Sequence, residues 1–317
     1  MNILRKSINQ NKRELATLLG IFLIYIFFTI MDHSYLSWAN FLLILQQSTI
    51  NGIIAVGMTY AIMTGGIDLS VGAVYGIVIV AIAKMTVGGM NPVLALIVGL
   101  IFGTLTGCVN GILVTKLKLQ PFIATLGTME IFRGIAYLTT DGRYIRIKDD
   151  AYYFIGKGKL AGIPFCLIIM LITYVVIWFV LKYTVYGRSV FAVGGNMQVA
   201  RLAGINVKKI RFISHILAGI TAVMGGVITV CQASSCMASH GYGNDMNVIS
   251  AVILGGISMA GGRGNVFGTL IGVASLSTLV NGMTLLNVNS YWQQIIQGLV
   301  LVFAVFIDAV RSSKRGN

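Results

Sequence analysis

Long apolar runs separated by short polar segments make up most of this chain. No Asp, Glu, Lys or Arg occurs in five long stretches, which are 33–67, 85–115, 160–181, 212–244 and 264–307. Because lipid offers backbone groups no hydrogen-bond partner, an apolar run of about 20 residues predicts a membrane-spanning helix. The pattern predicts about ten crossings, at 15–31, 41–63, 70–86, 92–115, 121–140, 162–181, 212–231, 246–261, 266–286 and 290–309. We therefore expect an all-α, polytopic membrane protein.

The chain reads as one transmembrane domain, 1–317, because no Pro/Ser-rich linker or low-complexity tract divides it. Glycine, with 38 copies, marks two similar strings that lie five spans apart, Phe102-Gly103-Thr104-Leu105-Thr106-Gly107 and Phe267-Gly268-Thr269-Leu270-Ile271-Gly272. Glycines four residues apart let helices pack at backbone contact. Since helices five spans apart run in opposite directions, the strings favour an inverted five-helix repeat. A chance match in a Gly-rich chain is the alternative.

The distribution of charged residues predicts which side of the membrane each loop and terminus faces. Hydrophobic residues form 56% of the chain and charged residues 10%, with a formal net charge of +14. The basic residues lie at the ends of predicted spans, which is typical of positive-inside topology rather than of a nucleic-acid surface. Both termini are then cytoplasmic, with tails at 1–14 and 310–317, a cytoplasmic loop at 182–211 and an external loop at 141–160. We expect surrounding lipid and no nucleic-acid partner.

The loop 182–211 carries six basic residues and no acidic one. Within it, Asn196 is placed to cap a short helix, Met197–Ala203, that Gly204 would end. Val199, Leu202 and Ala203 would share one face of that helix. A short helix projecting from a bundle would fit a groove on a cytosolic partner, and an ordinary solvated loop is the alternative.

Polar residues inside the apolar runs are candidates for function. Asp68 and Ser70 lie in a Gly-rich interruption, where they either cap the next helix or contact an ion or substrate. Amide side chains suit hydroxyl-bearing ligands, although interhelical hydrogen bonding accounts for them equally well. On these grounds the pathway or substrate candidates are Asn51, Asp68, Ser70, Asn247, Asn281 and Gln294. Glu130 and Arg133, three residues apart, are placed to neutralise each other on one helix.

No motif for catalysis, metal or nucleotide binding is found. The three histidines, His33, His215 and His240, lack ligand spacing, and no GxxxxGK[ST] sequence occurs. We therefore expect no catalytic residue, metal or cofactor on this chain. The four cysteines suit small apolar positions in helices, and pairing of Cys231 with Cys236 at one external turn is the alternative.

Five motifs in order, spread over residues 40–310, resemble the permease subunit of ribose-type, monosaccharide-importing bacterial ABC transporters, in the branched-chain amino-acid/sugar permease family. They are Gly65-Gly66-Ile67-Asp68-Leu69-Ser70-Val71-Gly72-Ala73, Ala124-Thr125-Leu126-Gly127-Thr128 with Arg133-Gly134, Gly156-Lys157-Gly158 with Gly162-Ile163-Pro164, the Gly- and Arg-containing segment 187–205, and Val252-Ile253-Leu254-Gly255-Gly256 with Gly261-Gly262-Arg263-Gly264 and Gly268-Thr269.

The resemblance implies a vitamin-B12-importer-like fold of about ten helices in the bacterial inner membrane. It also implies a second permease subunit, identical or not, an extracytoplasmic sugar-binding protein and a cytosolic ABC ATPase that uses ATP-Mg. In that family a coupling loop contacts the ATPase, and it corresponds here to Gly187, Arg188, Gly195, Asn196, Ala200, Arg201, Gly204 and Ile205.

One departure from the family pattern leaves the substrate open. Many relatives have Gly-Tyr-Glu-Leu-Asp where this chain has Gly243-Asn244-Asp245-Met246-Asn247. We expect a permease of an ATP-driven importer for a monosaccharide or small polyol such as ribose. A branched-chain amino-acid permease is the alternative in the same class. An ion-coupled secondary transporter, with Asp68, Glu130 or Asp308 as coupling carboxylate, is the alternative of another class.

Overall fold

The computed structural model describes residues 2–147 and 152–313, with side chains described for 17–147 and 152–310. Within these ranges the chain forms thirteen α-helices, which are α1 (Asn2–Met31), α2 (Trp38–Met63), α3 (Val71–Val87), α4 (Pro92–Thr115), α5 (Pro121–Thr140), α6 (Tyr153–Lys157), α7 (Phe165–Tyr183), α8 (Val185–Gly195), α9 (Met197–Leu202), α10 (Val207–Ala233), α11 (Asn244–Leu254), α12 (Val266–Leu285) and α13 (Ser290–Ser313). A 3-10 turn at His33–Leu36 joins α1 to α2. Four two-residue strands are also present, β1 (Ile145–Arg146), β2 (Lys159–Leu160), β3 (Ile163–Pro164) and β4 (Ser235–Cys236).

A helix lies at each of the ten segments predicted to cross the membrane. The bounds of α4 and α5 match the predicted 92–115 and 121–140. In the described part of the chain, six helices are long and apolar enough to cross a bilayer, namely α2, α4, α7, α10, α12 and α13. Shorter apolar helices are Thr17–Met31, α3 and α11. The prediction of an α-helical protein with several membrane spans is therefore confirmed.

The predicted span 246–261 is wrong at its end, because α11 stops at Leu254. Gly256 follows with φ +92°, and Gly261, Gly262 and Gly264 also have positive φ, a conformation that ends a helix and that glycine adopts at no steric cost. The 11 residues of α11 span about 16 Å at 1.5 Å each, roughly half the 30 Å hydrocarbon core. Hence α11 alone is too short for one crossing.

The loop 182–211 holds one helix more than predicted. Thr184 begins α8, with its side-chain oxygen accepting a hydrogen bond from Gly187 N at 3.2 Å. Three glycines lower the intrinsic helix propensity of this segment, but Val190 and Val193 are fully buried. Tertiary packing therefore stabilises a helix that local preference does not favour.

The segments after α5 and after α10 meet in a short antiparallel pair. Ile145 pairs with Cys236 and Arg146 with Ser235, which joins β1 to β4. In the predicted external loop 141–160, residues 148–151 lie outside the described residues, as do 314–317 of the predicted tail 310–317. The predicted tail 1–14 is helical from Asn2 and continuous with α1. The described cysteines are all free, so Cys231 and Cys236 are not paired.

Helix α10 lies at the centre of the bundle, where it packs against α2, α3 and α4. A Cβ added to Gly107 would lie 2.7 Å from the backbone oxygen of His215, and one on Gly219 would lie 2.5 Å from that of Gly103. The glycine face predicted on α4 therefore brings α4 and α10 into backbone contact.

Candidate functional site

The helix predicted in the basic loop is present as α9. Asn196 Oδ1 accepts hydrogen bonds from Gln198 N at 2.9 Å and Val199 N at 3.0 Å, which is an N-cap. Gly204 follows the helix with φ +78°. The side chain of Leu202 is 89% exposed and that of Val199 is 59% exposed, while Ala200 is buried. Apolar side chains on α9 therefore point away from the protein.

Each residue predicted for the coupling loop has a defined place in α8, α9 or the turn that follows. Gly187 is buried, because a Cβ there would run into the backbone of Leu181. The exposed members are Arg188, Gly195, Asn196, Arg201 and Gly204, whereas Ala200 is buried and Ile205 is half-buried. The exposed set forms a surface that a partner can reach.

Two Gly-rich motifs lie directly against the loop 182–211, which is called the basic segment below. Gly262 N donates a hydrogen bond to Met63 O at 2.9 Å, and Gly194 packs against both residues without room for a side chain. A Cβ on Gly65 would lie 3.0 Å from the terminal methyl of Met197. The basic segment thus contacts the connection between α2 and α3, residues 64–70, and the loop 255–264 after α11.

Asp68 lies in the α2–α3 connection and is 1% exposed. Its Oδ1 accepts from Ser70 N at 3.0 Å and from Ser70 Oγ at 2.6 Å, which forms an Asx-type turn just before α3. Among the described residues, no side chain caps the first turn of α3 itself. The Oδ2 of Asp68 lies 2.9 Å from His215 Nδ1 on α10. A carboxylate only accepts, so toward an ionised Asp68 the donor is His215 Nδ1. Asp68 therefore joins the start of α3 to α10.

Asn110 on α4 extends this network. Its Nδ2 donates to Ser70 Oγ at 2.7 Å, and its Oδ1 accepts from Thr128 Oγ1 of α5 at 2.7 Å. The sequence analysis assigned His215 no role. The available signal was an ionisable side chain within an apolar span, which needs a polar partner. Asp68 and Ser70 belong to this interhelical network and do not line the cavity described next.

A cavity of about 210 Å³ lies between α2, α11, α12 and α13. Its lining residues are Gln47, Asn51, Asn247, Ala251, Val273, Leu276, Ser277, Val280, Thr284 and Gln297. All the polar members carry amides or hydroxyls, and no lining residue is charged. The structure therefore brings together two predicted pathway residues, Asn51 and Asn247, with two further amides that the sequence analysis did not select.

One amide oxygen of the cavity lining, and one on a residue of α12 that is not part of the lining, have no hydrogen-bond partner among the described residues. They are Asn51 Oδ1 and Asn281 Oδ1, both buried. The Nδ2 of Asn281 donates to Gln47 Oε1 at 3.4 Å, so its side chain borders the cavity wall. Gln294 is exposed on α13 and does not line the cavity, whereas Gln297, three residues later, does. Unpartnered buried acceptors are uncommon in folded proteins and indicate a place for a donor.

A second, wider cavity of about 530 Å³ lies at the turn between α12 and α13. It is lined by Thr284, Asn287, Val288, Asn289, Ser290, Tyr291 and Gln293. Thr284 borders both cavities.

The other charged candidates have local partners. Arg133 Nη1 lies 3.5 Å from Glu130 Oε1, as the spacing predicted, and its guanidinium lies 4.7 Å from the ring centre of Tyr242. Asp308 Oδ2 accepts from Met259 N at 3.0 Å and from Ser258 Oγ at 3.2 Å. In the described ranges no group of three or more His, Cys, Asp or Glu side chains is placed to hold a metal ion.

Comparison with known proteins places this arrangement among permeases. The profile of the family described as branched-chain amino acid transport system / permease component matches residues 40–305. The ribose import permease protein of Bacillus subtilis (strain 168) is 42% identical over 303 residues, covering 95% of this chain and 94% of that protein. The ribose import permease protein of Escherichia coli (strain K12) is 37% identical over 299 residues, covering 93% of each.

A relative that is named for another substrate is also similar. The autoinducer 2 import system permease protein of Photorhabdus luminescens is 32% identical over 300 residues, covering 94% of this chain and 90% of that protein. No solved structure matches the chain.

Proposed function

Because this chain belongs to the branched-chain amino acid transport system / permease component family, we propose that it is the membrane permease of an ATP-driven importer of a monosaccharide or similar small polyol such as ribose. The amide-lined cavity is the observation that carries the choice of substrate. Its polar wall has no charge, and one buried acceptor of that wall, Asn51 Oδ1, has no donor among the described residues. A sugar hydroxyl supplies such a donor and can accept from an amide N–H in return.

The same lining disfavours the branched-chain amino-acid alternative. An amino acid carries a carboxylate and an ammonium group, and burying either without a charged or multiply hydrogen-bonded partner is costly. The cavity, at about 210 Å³, is also below the roughly 300–1,000 Å³ typical of sites for drug-sized ligands, which suits a small solute. Two of the relatives are ribose import permeases, which supports the same choice.

The energy comes from a partner ATPase that uses ATP-Mg and docks on the basic segment. In this proposal the segment 182–211 is cytoplasmic, so the exposed Leu202 and Val199 face water rather than lipid. Apolar side chains exposed to water next to basic ones are typical of a protein-interaction surface. The coupling contacts are assigned to Gly187, Arg188, Gly195, Asn196, Ala200, Arg201, Gly204 and Ile205. The permease itself holds no ATPase site, catalytic residue, metal or cofactor.

If the chain crosses the membrane ten times, one of the crossings combines a short helix with non-helical backbone. Helix α11 covers about half the bilayer, and the turns at 237–243 pack along α3 before it, with Ala238 and Gly241 buried and Ser239 and Tyr242 exposed. A Cβ on Gly76 would be 2.8 Å from His240 O, and one on Gly72 would be 2.5 Å from Gly241 O. Non-helical backbone is tolerated at membrane depth where protein covers it, so 237–254 together form the eighth crossing.

The remaining features follow from family membership and charge. The permease lies in the bacterial inner membrane, with both termini cytoplasmic and the loop 141–160 external. It works with a second permease subunit, identical or not, and with an extracytoplasmic sugar-binding protein. The fold is vitamin-B12-importer-like, with the two halves related as inverted repeats.

A pull-down from native membranes tests the docking surface. The variant Leu202→Asp places a charge on the most exposed apolar side chain of α9, and we expect it to lose the co-purifying ATPase and ATP-driven uptake of labelled ribose. Leu36→Asp is the matched control, because Leu36 is 64% exposed in the turn between α1 and α2, on the external side. Equal ATPase recovery from wild type and Leu202→Asp would refute docking at α9. Uptake that resists vanadate and stops with a protonophore would favour the ion-coupled alternative.

A further inference from the structure

The α2–α3 connection lies between the basic segment and the helix bundle. On one side, Gly65 contacts Met197 of α9, and the Met63 carbonyl contacts Gly194 of α8 and Gly262. The contacts of Gly194 with Met63 and Gly262 are between backbone atoms, with no room for a side chain at Gly194, and a close-packed interior transmits strain. A displacement of α8 and α9 therefore displaces the connection as well.

On its other side, the same connection is bonded to three helices. Asp68 Oδ2 lies 2.9 Å from His215 Nδ1 of α10. Ser70 Oγ, which donates to Asp68, accepts a hydrogen bond from Asn110 Nδ2 of α4 at 2.7 Å. Leu69 N donates to Thr125 Oγ1 of α5 at 3.1 Å. The seven residues 64–70 thus contact both the segment proposed to meet the ATPase and the helices α4, α5 and α10 of the bundle.

The Asp68–His215 contact is the strongest of these attachments on physical grounds. The exposed fractions of the two side chains are 2% and 3%, and hydrogen bonds to an ionised group are about twice as strong as neutral ones. It also joins residues 147 positions apart, so it bonds the connection to the helix at the centre of the bundle. Loss of the donor would leave a buried carboxylate without one of its hydrogen-bond partners, which costs free energy of folding.

We propose that Asp68 and His215 are positioning residues that transmit movement of the basic segment to α10, so that ATP hydrolysis in the partner is coupled to opening of the bundle. This inference rests on the proposed function of the basic segment. It assigns neither residue to the substrate cavity or to the ATPase contact.

The test compares ribose taken up with ATP hydrolysed. The complete transporter, purified with its own ATPase subunit, is reconstituted in proteoliposomes with the sugar-binding protein, and labelled ribose is the probe. For His215→Leu we expect uptake per ATP to fall about tenfold, within the 5- to 150-fold range of typical coupling energies, while ATPase activity persists. His215→Asn, whose amide N–H can replace Nδ1–H, should keep most of the wild-type ratio.

Tyr75→Phe is the matched control for general loosening of the bundle. Tyr75 donates a buried hydrogen bond to Thr229 Oγ1 at 2.9 Å, and it joins α10 to α3, the helix that follows the connection. We expect its uptake per ATP to stay near the wild-type value. An equal loss in Tyr75→Phe and His215→Leu, or an unchanged ratio in His215→Leu, would overturn the inference while leaving the proposed function intact.

Assembly is checked by recovery of the ATPase with each variant. If His215→Leu does not assemble, ribose uptake per ATP is measured on the double variant Asp68→Asn/His215→Leu, which leaves no buried charge unpaired. Failure of both variants to assemble would identify a purely structural pair and overturn the proposal. A wild-type complex that neither hydrolyses ATP nor takes up ribose would refute the proposed function itself.

Discussion

The unpartnered oxygen of Asn51 gives a prediction with two effects of opposite sign. Asn51→Leu replaces the amide by an apolar side chain of similar size in the cavity wall. A buried polar group without a partner costs about 1–3 kcal/mol, so its removal should stabilise the empty permease by about 1 kcal/mol or more. The oxygen has no partner within the described residues, so no existing hydrogen bond to it is lost.

The same change should weaken substrate binding. One hydrogen bond from a sugar hydroxyl contributes about 0.5–1.5 kcal/mol. Since 1.4 kcal/mol corresponds to a factor of ten, we expect the KM for ribose uptake to rise about two- to tenfold. Higher thermal stability together with a higher KM is the result that distinguishes a ligand acceptor from a structural one.

Two assays on the detergent-purified and reconstituted protein measure these effects. Thermal unfolding gives the stability of the permease without substrate, and uptake of labelled ribose at varied concentration gives KM. Gln294→Leu is the matched control, because Gln294 is exposed outside the cavity and should leave KM unchanged. Lower stability with an unchanged KM in Asn51→Leu would refute the assignment of this oxygen to the substrate.

Two further predictions concern packing and capping. Asn196→Ala removes the cap of α9, which costs about 1 kcal/mol, and should therefore weaken ATPase recovery in the pull-down. Asn196→Asp keeps a side-chain acceptor and should retain the ATPase. Equal recovery from the two variants would contradict the role of the cap. Gly107→Ala places a methyl group 2.7 Å from His215 O and 2.9 Å from Ile216 Cα, so it should lower the unfolding temperature. Gly127→Ala, with nothing within 4 Å, should not, and similar losses for the two would contradict close packing of α4 on α10.

The sequence predicted helices best where their ends carry strong local signals. Pro92 and Pro121 begin α4 and α5 at the predicted residues, because proline favours the first turn and its missing N–H costs nothing there. The end of α11 was missed because apolar residues continue past Leu254 to Ala260. The positive φ of Gly256 ends the helix, and composition does not reveal it.

The candidate site was predicted in part for similar reasons. Amides inside apolar runs identified Asn51 and Asn247, since a polar side chain stands out in a membrane span. The choice between Gln294 and Gln297 depends on which face of α13 turns inward, and amides occur on more than one face of that helix. The partnership of Asp68 with His215 joins residues far apart in sequence, and only the fold brings them together.

The sequence predicted the ends of α9 but not the contacts that hold it against the bundle. Its cap, Asn196, and its end, Gly204, were visible in the sequence because both residues have local conformational preferences. The contacts of Met197 with Gly65 and of Gly194 with Gly262 were not visible, because glycine spacing alone does not say which backbone will approach. Three separate Gly-rich motifs prove to be neighbours in space.

ATP-dependent uptake of ribose by the reconstituted transporter tests the central claim most directly. Labelled ribose is supplied with the sugar-binding protein outside the vesicles, ATP-Mg is trapped with the ATPase inside, and excess leucine is added as competitor. We predict uptake that requires ATP, stops with vanadate and is unaffected by leucine. Uptake that needs no ATP but collapses with a protonophore, or that leucine abolishes, would contradict the account.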